Sequence, residues 1–404
     1  MHAHAPGSPP ARPRFSAAEI FRQHGEAYIA GRRPAAASVR VIRDIVRCRT
    51  AALGGHTQVC DACGHTAQVY NSCLNRHCPT CQSLQQARWI ANRLERVLPV
   101  PAFHVVFTLP AELRPLVARN AELLYGMLFD AGSDVLARLG KQRLGAHLGV
   151  TAVLHTWNRK MLLHPHLHCV VTAGGLALDG SRWIAGNPRY LFPVKTIMSP
   201  MYRGKFMALL PRAWSSGKLA VDADLASPKG WRAFKRVLYR KPWNVYAKRP
   251  FKGASHIYAY LGRYTHRVAV SSARIHLVTD ETVRLRTRGD ETIDLHSSEF
   301  IRRFLLHVLP AGFRKIRHYG LYAPGAAPAA RLVVAREFVE EETGSSHGDD
   351  VAAARTIADN LVATLRRCPG CSDGQLIPFE LAPTRLAAHP DDDPRTALPP
   401  PDTP

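Results

Sequence analysis

Acidic residues are scarce in this 404-residue sequence. It contains 31 Asp and Glu against 54 Lys and Arg, which gives a formal net charge of +23. Such an excess of positive charge attracts polyanions, and nucleic acid is the commonest partner of a protein this basic. The composition therefore predicts a nucleic-acid partner and no small-molecule substrate.

The sequence also lacks long apolar runs. None reaches the roughly 18 residues needed to span a bilayer, and residues 1–14 have no apolar stretch of the kind found in secretory signals. We accordingly expect no membrane partner and a cytoplasmic location. In that reducing compartment, nine cysteines indicate metal binding rather than disulfides. A G-x-x-x-x-G-K-[ST] motif is absent as well, which excludes a fused helicase of the phosphate-binding-loop class.

One stretch of the chain, residues 225–279, contains no acidic residue at all. Its twelve Lys and Arg are interleaved with nine aromatic residues. A basic run is usually a solvated face, but a groove for single-stranded nucleic acid combines cations for phosphates with ring faces for unstacked bases. We therefore predict that this basic stretch contacts nucleic acid. The predicted contact residues are Lys248, Arg249, Lys252, Arg263 and Arg267.

The order of periodic segments predicts an α+β fold built on an antiparallel sheet. Residues 15–55 have helical periodicity, with Ile42, Ile45 and Val46 on one apolar face. A strand-like segment (FHVVFTL), a helical segment and two further strand candidates (VTAVLHTW and HLHCVVTAG) follow the cysteine-rich region.

Composition divides the chain into five parts. Pro-rich tails at its two ends are expected to be disordered because they have little to bury. The predicted parts are a tail at 1–14, a helical and zinc-binding domain at 15–95, an α+β domain at 98–325, a C-terminal region at 326–381 and a tail at 382–404.

Two CxxC pairs, Cys60/Cys63 and Cys78/Cys81, lie fourteen residues apart. Four thiolates suit tetrahedral zinc, and a two-residue gap lets both sulfurs of a pair reach one ion from a tight turn. The spacing therefore predicts a small four-cysteine zinc-binding module in which these residues share one structural zinc ion.

Other potential ligands leave alternatives open. Cys73 and His77 could support a second metal, substitute in the first site or merely pack. A third pair, Cys368/Cys371, has no partner pair nearby in the sequence and could complete a distant site or bind nothing.

Three histidines alternate along an apolar segment that is typical of a strand. His164, His166 and His168 fall on one face, where successive neighbours are about 7 Å apart and the outer two about 13 Å apart. A metal could therefore be shared by 164/166 or by 166/168. Pro165 belongs at a strand start, which favours His166 and His168. A His-x-His on a solvated strand face without a metal is the alternative.

Two tyrosines, Tyr260 and Tyr264, lie one helical turn apart inside the basic stretch. Tyrosines at this spacing are more often core packing than nucleophiles. Their location inside the basic stretch favours the nucleophile interpretation. A phenol of pKa about 10 needs cations or a metal ion nearby to attack a phosphodiester.

Five ordered motifs resemble one family of DNA enzymes. They are NSCLNRHCPTCQ, FHVVFTLP, HPHLHCVVTAGGL, YLGRYTHRV and FIRRFLLHVLPAGFRKIRHYGLYA, and they cover most of residues 20–325. The combination resembles the rolling-circle transposases of the insertion sequence 91 family, which belong to the two-tyrosine type of the HUH superfamily and carry an N-terminal zinc-binding domain.

The resemblance implies a fold, a reaction and site residues. It implies an HUH endonuclease domain with a central antiparallel sheet flanked by helices, in which His166 and His168 hold catalytic Mg²⁺ or Mn²⁺. Tyr260 and Tyr264 would be nucleophiles that form 5′-phosphotyrosine links with single-stranded DNA at element ends and target. The implied location is the bacterial nucleoid. A third metal ligand would be chosen among His155, His256 and His266.

Two alternatives remain open at this stage. An HUH relaxase or replication initiator would use the same chemistry, although the zinc unit and the FTLP and HYGLYA segments argue against it. An inactive zinc-dependent DNA-binding relative is the non-enzymatic alternative, and the intact histidine pair and both tyrosines argue against that.

The basic stretch predicts a steep salt dependence of binding. The affinity for single-stranded DNA should fall with a log–log slope of several units, because each neutralised phosphate contributes about 0.7. Replacing Lys248 and Arg249 with Gln should flatten the slope in a fluorescence-anisotropy titration at several salt concentrations. An unchanged slope would mean that this part of the stretch is a solvated face.

Overall fold

A computed structural model describes most of the chain between the two tails. The described residues are 15–81, 89, 92–93, 96–187, 189, 191–251, 269–344, 352, 356, 359–360, 363, 366–371 and 373–378. No helix within these ranges is long and apolar enough to cross a membrane.

Helices and strands alternate irregularly along the chain, as in an α+β protein. The helices are Ala17–Arg32 (α1), Ala36–Arg47 (α2), Arg114–Arg119 (α3), Ala121–Leu139 (α4), Ser199–Ser215 (α5), Ala223–Ala226 (α6), Pro228–Arg240 (α7), Ser297–Leu305 (α8) and Ala326–Thr343 (α9). The strands are Gly55–Cys60 (β1), Thr66–Tyr70 (β2), Ala102–Thr108 (β3), Ala146–Trp157 (β4), Leu163–Ala177 (β5), Trp183–Ala185 (β6), Val245–Phe251 (β7), Ile275–Val278 (β8), Thr282–Arg286 (β9), Thr292–His296 (β10), Ile316–Gly320 (β11) and Leu376–Pro378 (β12).

The central sheet is antiparallel and has the order β11-β4-β5-β3-β7, with the short β6 paired to β5. This confirms the predicted α+β class and its antiparallel sheet flanked by helices. The histidine-bearing strand β5 lies at the centre, between β4 and β3, so its side chains are held by neighbours on both sides.

One face of the central sheet carries the largest apolar core. Odd-numbered residues at the start of β5, such as Leu167 and Cys169, pack there against helices α4 and α5. Phe107 of β3 meets Tyr202 of α5 with ring centroids 5.1 Å apart. Burial of this face fixes the register of each strand, because a slip by one residue would turn the apolar set outward.

The described residues cover the opposite face in two separate places. At one end, Ala335 and Val339 of α9 pack over Val153 and Val170 of the sheet. At the other end stands a small antiparallel sheet of order β10-β9-β8 with helix α8. The histidines of β5 face the space between these two coverings.

Helices α1 and α2 pack on α8 rather than on the central sheet. Phe21 meets Phe304 edge-on, with ring centroids 5.0 Å apart. Helix α1 starts at a Ser-x-x-Glu capping sequence, in which the Ser16 hydroxyl accepts a hydrogen bond from the Glu19 N–H at 3.2 Å. The predicted apolar face of α2 is confirmed, since Ile42 and Ile45 are buried in this core.

The aromatic residues of the basic stretch do two different things. Trp231 and Trp243 are buried in the main core, so they cannot stack on bases as the interleaved pattern had led us to expect. Tyr239 and Tyr246 are exposed. Aromatic spacing alone could not separate the two groups, because helix α7 turns one aromatic face inward and its cations outward. Residues 252–268 of the stretch lie outside the described residues.

A buried histidine joins α8 to the central sheet. The Thr156 hydroxyl donates a hydrogen bond to His307 Nδ1, which lies 3.1 Å away, and His307 Nε2 donates to the Met161 carbonyl oxygen at 3.1 Å. Burial lowers the pKa of His307 to about 4. The ring is therefore neutral in the folded protein at neutral pH.

This histidine makes stability depend on pH in a defined window. A folded-state pKa below the unfolded value means that the unfolded chain gains a proton first, so stability falls as pH drops from about 6.5 towards 4. The single-group contribution between pH 7 and pH 5 is about 2 kcal/mol. His307→Gln, which takes up no proton, should show a smaller loss between these pH values in denaturant melts. The same change at exposed His276 is the control, and an equal loss in both variants would contradict the assignment.

Candidate functional site

Three histidines of the two central strands converge on one point. His155 of β4 stands directly opposite His166 of β5 in the antiparallel register, and His168 follows on the same face. Ring centroids are 4.3 Å apart for His155 and His168 and 4.8 Å for His166 and His168. One ligand nitrogen from each ring lies within 4.8 Å of the others. Among the candidate third ligands, only His155 lies within the described residues.

Hydrogen bonds orient two of these rings. His166 Nδ1 donates to the His164 carbonyl oxygen at 2.6 Å, which leaves the Nε2 lone pair for a metal. His168 Nδ1 lies 2.7 Å from Nε2 of His104 on β3, and the two rings stack with centroids 4.9 Å apart. With His168 Nδ1 as the donor, its Nε2 also presents a lone pair. Metal-ligating histidines are commonly held by such a bond at the second nitrogen.

Burial keeps the imidazoles of His166, His168 and His104 neutral by lowering their pKa values. It lowers the pKa of His166 to about 4 and holds the pKa of His168 well below its ordinary value. Burial, reinforced by the Lys248 cation, likewise lowers the pKa of His104 to about 4. A neutral imidazole is the form that binds a metal, because a proton on the ligating nitrogen would occupy the lone pair.

The donor set fits a divalent transition metal. Within the part of the chain that the structure describes, the group consists of three imidazoles and no carboxylate. Imidazole suits Zn²⁺, Cu²⁺, Fe²⁺ and Ni²⁺ best, and both Mg²⁺ and Mn²⁺ favour carboxylate, carbonyl and water oxygens. Between these last two, Mn²⁺ is the first-row transition metal and accepts nitrogen ligands more readily. The histidines therefore fit Mn²⁺ better than Mg²⁺, which would depend on water and substrate oxygens for most of its ligands.

The histidine cluster lies at the base of an open cleft of about 670 Å³. The β4–β5 turn and the small β8–β10 sheet form its walls. The lining residues are His155, Trp157, Asn158, Arg159, His164, His166, His168, Arg274, Arg286, Thr287 and Gly289. The three arginines make the cleft suitable for a phosphodiester, because guanidinium groups match phosphate geometry.

Arginine side chains also fix the cleft walls to each other. Arg159 of the turn donates to the Thr287 carbonyl oxygen at 3.1 Å. Arg274 in return donates to the carbonyl oxygens of Arg159 and Arg286. These bonds connect the small sheet to the turn that leads into the histidine strand, so the cleft has a defined width.

The predicted DNA-binding residues are only partly described. Lys248 of the edge strand β7 is exposed and pairs with His104 of β3. Strand β3 in turn lies beside β5, which bears His168. Arg249 lies in the same strand, but its side chain is not among those described. Lys252, Arg263, Arg267, Tyr260, Tyr264, His256 and His266 all lie outside the described residues.

The cysteines form two groups, and neither is the predicted one. Cys78 and Cys81 lie with Cys48 and Cys73, whereas Cys60 and Cys63 lie with Cys368 and Cys371. The prediction that Cys60, Cys63, Cys78 and Cys81 share one ion is therefore corrected. In each group the Sγ atoms are within 4.8 Å of one another, as tetrahedral zinc requires of four thiolates.

The open alternatives for Cys73 and His77 are answered by geometry. Cys73 belongs to the first thiol group, with its Sγ 3.8 Å from that of Cys81. His77 is not a ligand in that group. Its Nε2 instead accepts a hydrogen bond from the Leu309 N–H at 3.0 Å, and its Nδ1 lies 3.1 Å from the Asn75 side-chain oxygen.

Several site residues had no local signal in the sequence. Cys48 ends helix α2 without a CxxC partner, and His104 lies alone in an apolar strand. Arg159 and Arg286 come from separate loops and strands. Only Arg274 carried a hint, as the last cation of the basic stretch. Long-range strand pairing and packing bring these residues to the site.

Comparison with known proteins points in one direction. Two family descriptions match, a putative transposase over residues 149–330 and a transposase zinc-binding domain over residues 20–109. A putative transposase, y4qJ, of Sinorhizobium fredii is 41% identical over 380 residues, which cover 90% of this chain and 94% of the relative. The transposase for insertion sequence element IS801 of Pseudomonas savastanoi pv. phaseolicola is 28% identical over 300 residues, 70% of either chain. No solved structure matches this chain.

Proposed function

This chain belongs to the insertion sequence 91 family of transposases, and we propose that it moves DNA by a rolling-circle mechanism. The proposed reaction is metal-dependent cleavage of single-stranded DNA and strand transfer. The phenolate of Tyr260 or Tyr264 attacks the scissile phosphorus, the P–O3′ bond breaks, and the leaving 3′ oxygen takes up a proton. A 3′ hydroxyl then attacks the 5′-phosphotyrosine and releases the tyrosine.

The observation that carries this proposal is the convergence of His155, His166 and His168 at the base of a basic cleft. Purely structural histidines on a sheet would be expected to pack apart or to meet solvent. The three rings crowd together, and hydrogen bonds at Nδ1 of His166 and His168 leave Nε2 of both rings available to a metal. Such an arrangement favours a bound cation.

The proposed ligands are His155, His166 and His168, and the preferred ion is Mn²⁺. When bound, the ion offsets charge that develops on the phosphate oxygens during cleavage. The chain's own part is to orient the strand. Arg159, Arg274 and Arg286 would neutralise backbone phosphates along the cleft, and Lys248 would do so beside it.

A second basic surface supports an extended DNA path. Helix α7 exposes cations around Tyr239, whose ring also receives the Arg203 guanidinium at 5.6 Å from its centroid. The residues that line this groove are Pro211, Arg232, Lys235, Arg236, Tyr239 and Arg240. An exposed ring among cations is the pairing that holds unstacked bases without sequence preference.

The two alternative functions, a relaxase or replication initiator and an inactive DNA-binding relative, are each less well supported. A relaxase or replication initiator could use the same centre, but the match to a transposase zinc-binding domain over residues 20–109 favours transposition. An inactive relative has no need of three histidines converging in a cleft lined by arginines. We propose action in the bacterial cytoplasm, at the nucleoid, where such DNA is found.

The decisive experiment is detection of the covalent adduct. With Mn²⁺ and a single-stranded DNA that spans an element end, the wild type should leave protein attached to the 5′ end of the cut strand. His166→Ala/His168→Ala should abolish cutting while leaving DNA affinity within about threefold, because phosphate contacts come from Lys and Arg. The readout is a phosphatase-resistant shift of end-labelled DNA on a denaturing gel.

The controls separate the nucleophiles from the metal site. Tyr260→Phe/Tyr264→Phe should form no adduct but still bind DNA and Mn²⁺, and either single Phe variant should be milder if the two tyrosines alternate. His276→Ala, an exposed change outside the cleft, should behave as wild type. An adduct formed by the double Phe variant would overturn the nucleophile assignment, and cutting in chelator would overturn the metal assignment.

His104 gives a separate test of the metal site. His104→Ala removes the ring that holds His168 Nδ1, and loss of such a partner commonly costs about 10- to 100-fold in metal affinity. His104→Gln, which can still meet Nδ1, should lose less. Mn²⁺ affinity measured by electron paramagnetic resonance is the readout. Equal affinity in wild type and both variants would show that His104 only fills space.

A further inference from the structure

The C-terminal part of the chain returns to the N-terminal zinc-binding region. Strand β12 pairs antiparallel with β1, with Cys60 opposite Leu376 and Gln58 opposite Pro378. Together with β2 they form a three-stranded sheet of order β12-β1-β2. Backbone hydrogen bonds extend the contact beyond the strands, from Asp61 N–H to the Gln375 carbonyl oxygen at 3.1 Å.

Two CxxC turns face each other at the end of this sheet. Cys60 Sγ lies 3.6 Å from Cys371 Sγ, and Cys63 Sγ lies 3.8 Å from Cys368 Sγ. All four sulfurs are within 4.8 Å of one another. Pairwise distances of this size are too long for sulfur–sulfur bonds of about 2 Å and are near those of four thiolates around one zinc ion, where each Zn–S bond is about 2.3 Å.

The two turns have matching local structure. The Cys63 N–H points at Cys60 Sγ at 3.4 Å, and the Gly370 N–H points at Cys368 Sγ at 3.2 Å. N–H groups directed at the first sulfur of each pair favour the thiolate that zinc needs. Gly374 makes space for this sulfur, because a Cβ at that position would lie only 2.2 Å from Cys60 Sγ.

We propose that Cys60, Cys63, Cys368 and Cys371 bind a second structural zinc ion, separate from the ion of Cys48, Cys73, Cys78 and Cys81. The match to the transposase zinc-binding domain ends at residue 109 and contains only half of these ligands. The other half comes from the far end of the chain, so this ion connects two regions that the sequence separates by about three hundred residues.

The proposed site has too little apolar packing to hold β12 without the ion. Among the described residues, its buried cluster consists of Cys60, Cys368 and Leu376, with Ala67 and Cys371 packed against them. A core of this size cannot offset the ordering of several residues, so metal binding and docking of the C-terminal strand should occur together.

Zinc counting on the full-length protein tests the proposal. By native mass spectrometry, the wild type should carry at least two tightly held zinc ions, and Cys368→Ser/Cys371→Ser should carry one fewer. Cys60→Ser should also lose one. Combining Cys60→Ser with Cys368→Ser/Cys371→Ser should lose no further ion, because all three changes affect one site. Adding Cys78→Ser to Cys368→Ser/Cys371→Ser should lose a second.

Controls guard against unfolding and against metal in the histidine cleft. Cys169→Ala, at the one cysteine outside both groups, should keep the wild-type count. For the wild type itself, cobalt substitution should give two ions with the full absorption of four thiolate ligands, and cobalt on histidines would lack that band. This measurement stands even if a cysteine variant fails to fold.

Three results would overturn the proposal. They are a wild type with a single thiolate-bound cobalt, an unchanged zinc count in Cys368→Ser/Cys371→Ser, and loss of different ions by Cys60→Ser and Cys368→Ser/Cys371→Ser. The last result would return Cys60 to a site without the C-terminal pair. Cleavage activity is not part of the readout, so the outcome is independent of the proposed reaction.

Discussion

The antiparallel register of β4 against β5 sets every distance in the histidine cleft. His155 meets His166 because the two residues are partners in that ladder, and His168 meets His104 because β3 continues the sheet on the other side. The register itself is held by the face that the histidines do not use, where Leu167 and Cys169 are buried against helices. A slip by one residue would expose that apolar face and scatter the imidazoles at once, so stability and the proposed metal site depend on the same pairing.

Among the described residues, the two coverings of the histidine face stop short of the middle, where the cleft lies. Helix α9 packs over one end, and the small β8–β10 sheet stands over the other. Bonds from Arg159 to the Thr287 carbonyl oxygen and from Arg274 to the Arg159 carbonyl oxygen hold that small sheet at the β4–β5 turn. The N-terminal helices pack on α8, and His307 joins α8 to the central sheet. The arginines that hold the small sheet in place therefore also give the cleft its positive charge.

Local periodicity was sufficient to predict some features of this fold. Alternation identified the face of β5 that bears the histidines, and helical spacing identified the buried face of α2. The cysteine pairing was not predictable in this way. Each CxxC fixes its own turn, but which two turns share an ion depends on strand pairing between β1 and β12, far apart in sequence. The burial of Trp231 and Trp243 was not predictable for a related reason. Aromatic spacing cannot distinguish a ring that stacks on a base from one that is buried under a helix.

The return of β12 to β1 has a consequence for how the protein is made. Cys60 and Cys63 leave the ribosome early, yet Cys368 and Cys371 emerge only after nearly all of the chain has been synthesised. At about 5–20 residues per second, the first pair must wait for tens of seconds for its partners. During that interval the early thiols are open to oxidation or to capture of another metal. A chain cut short before residue 368 would keep β1 paired with β2 but would lack β12 and half of the proposed thiolate ligands.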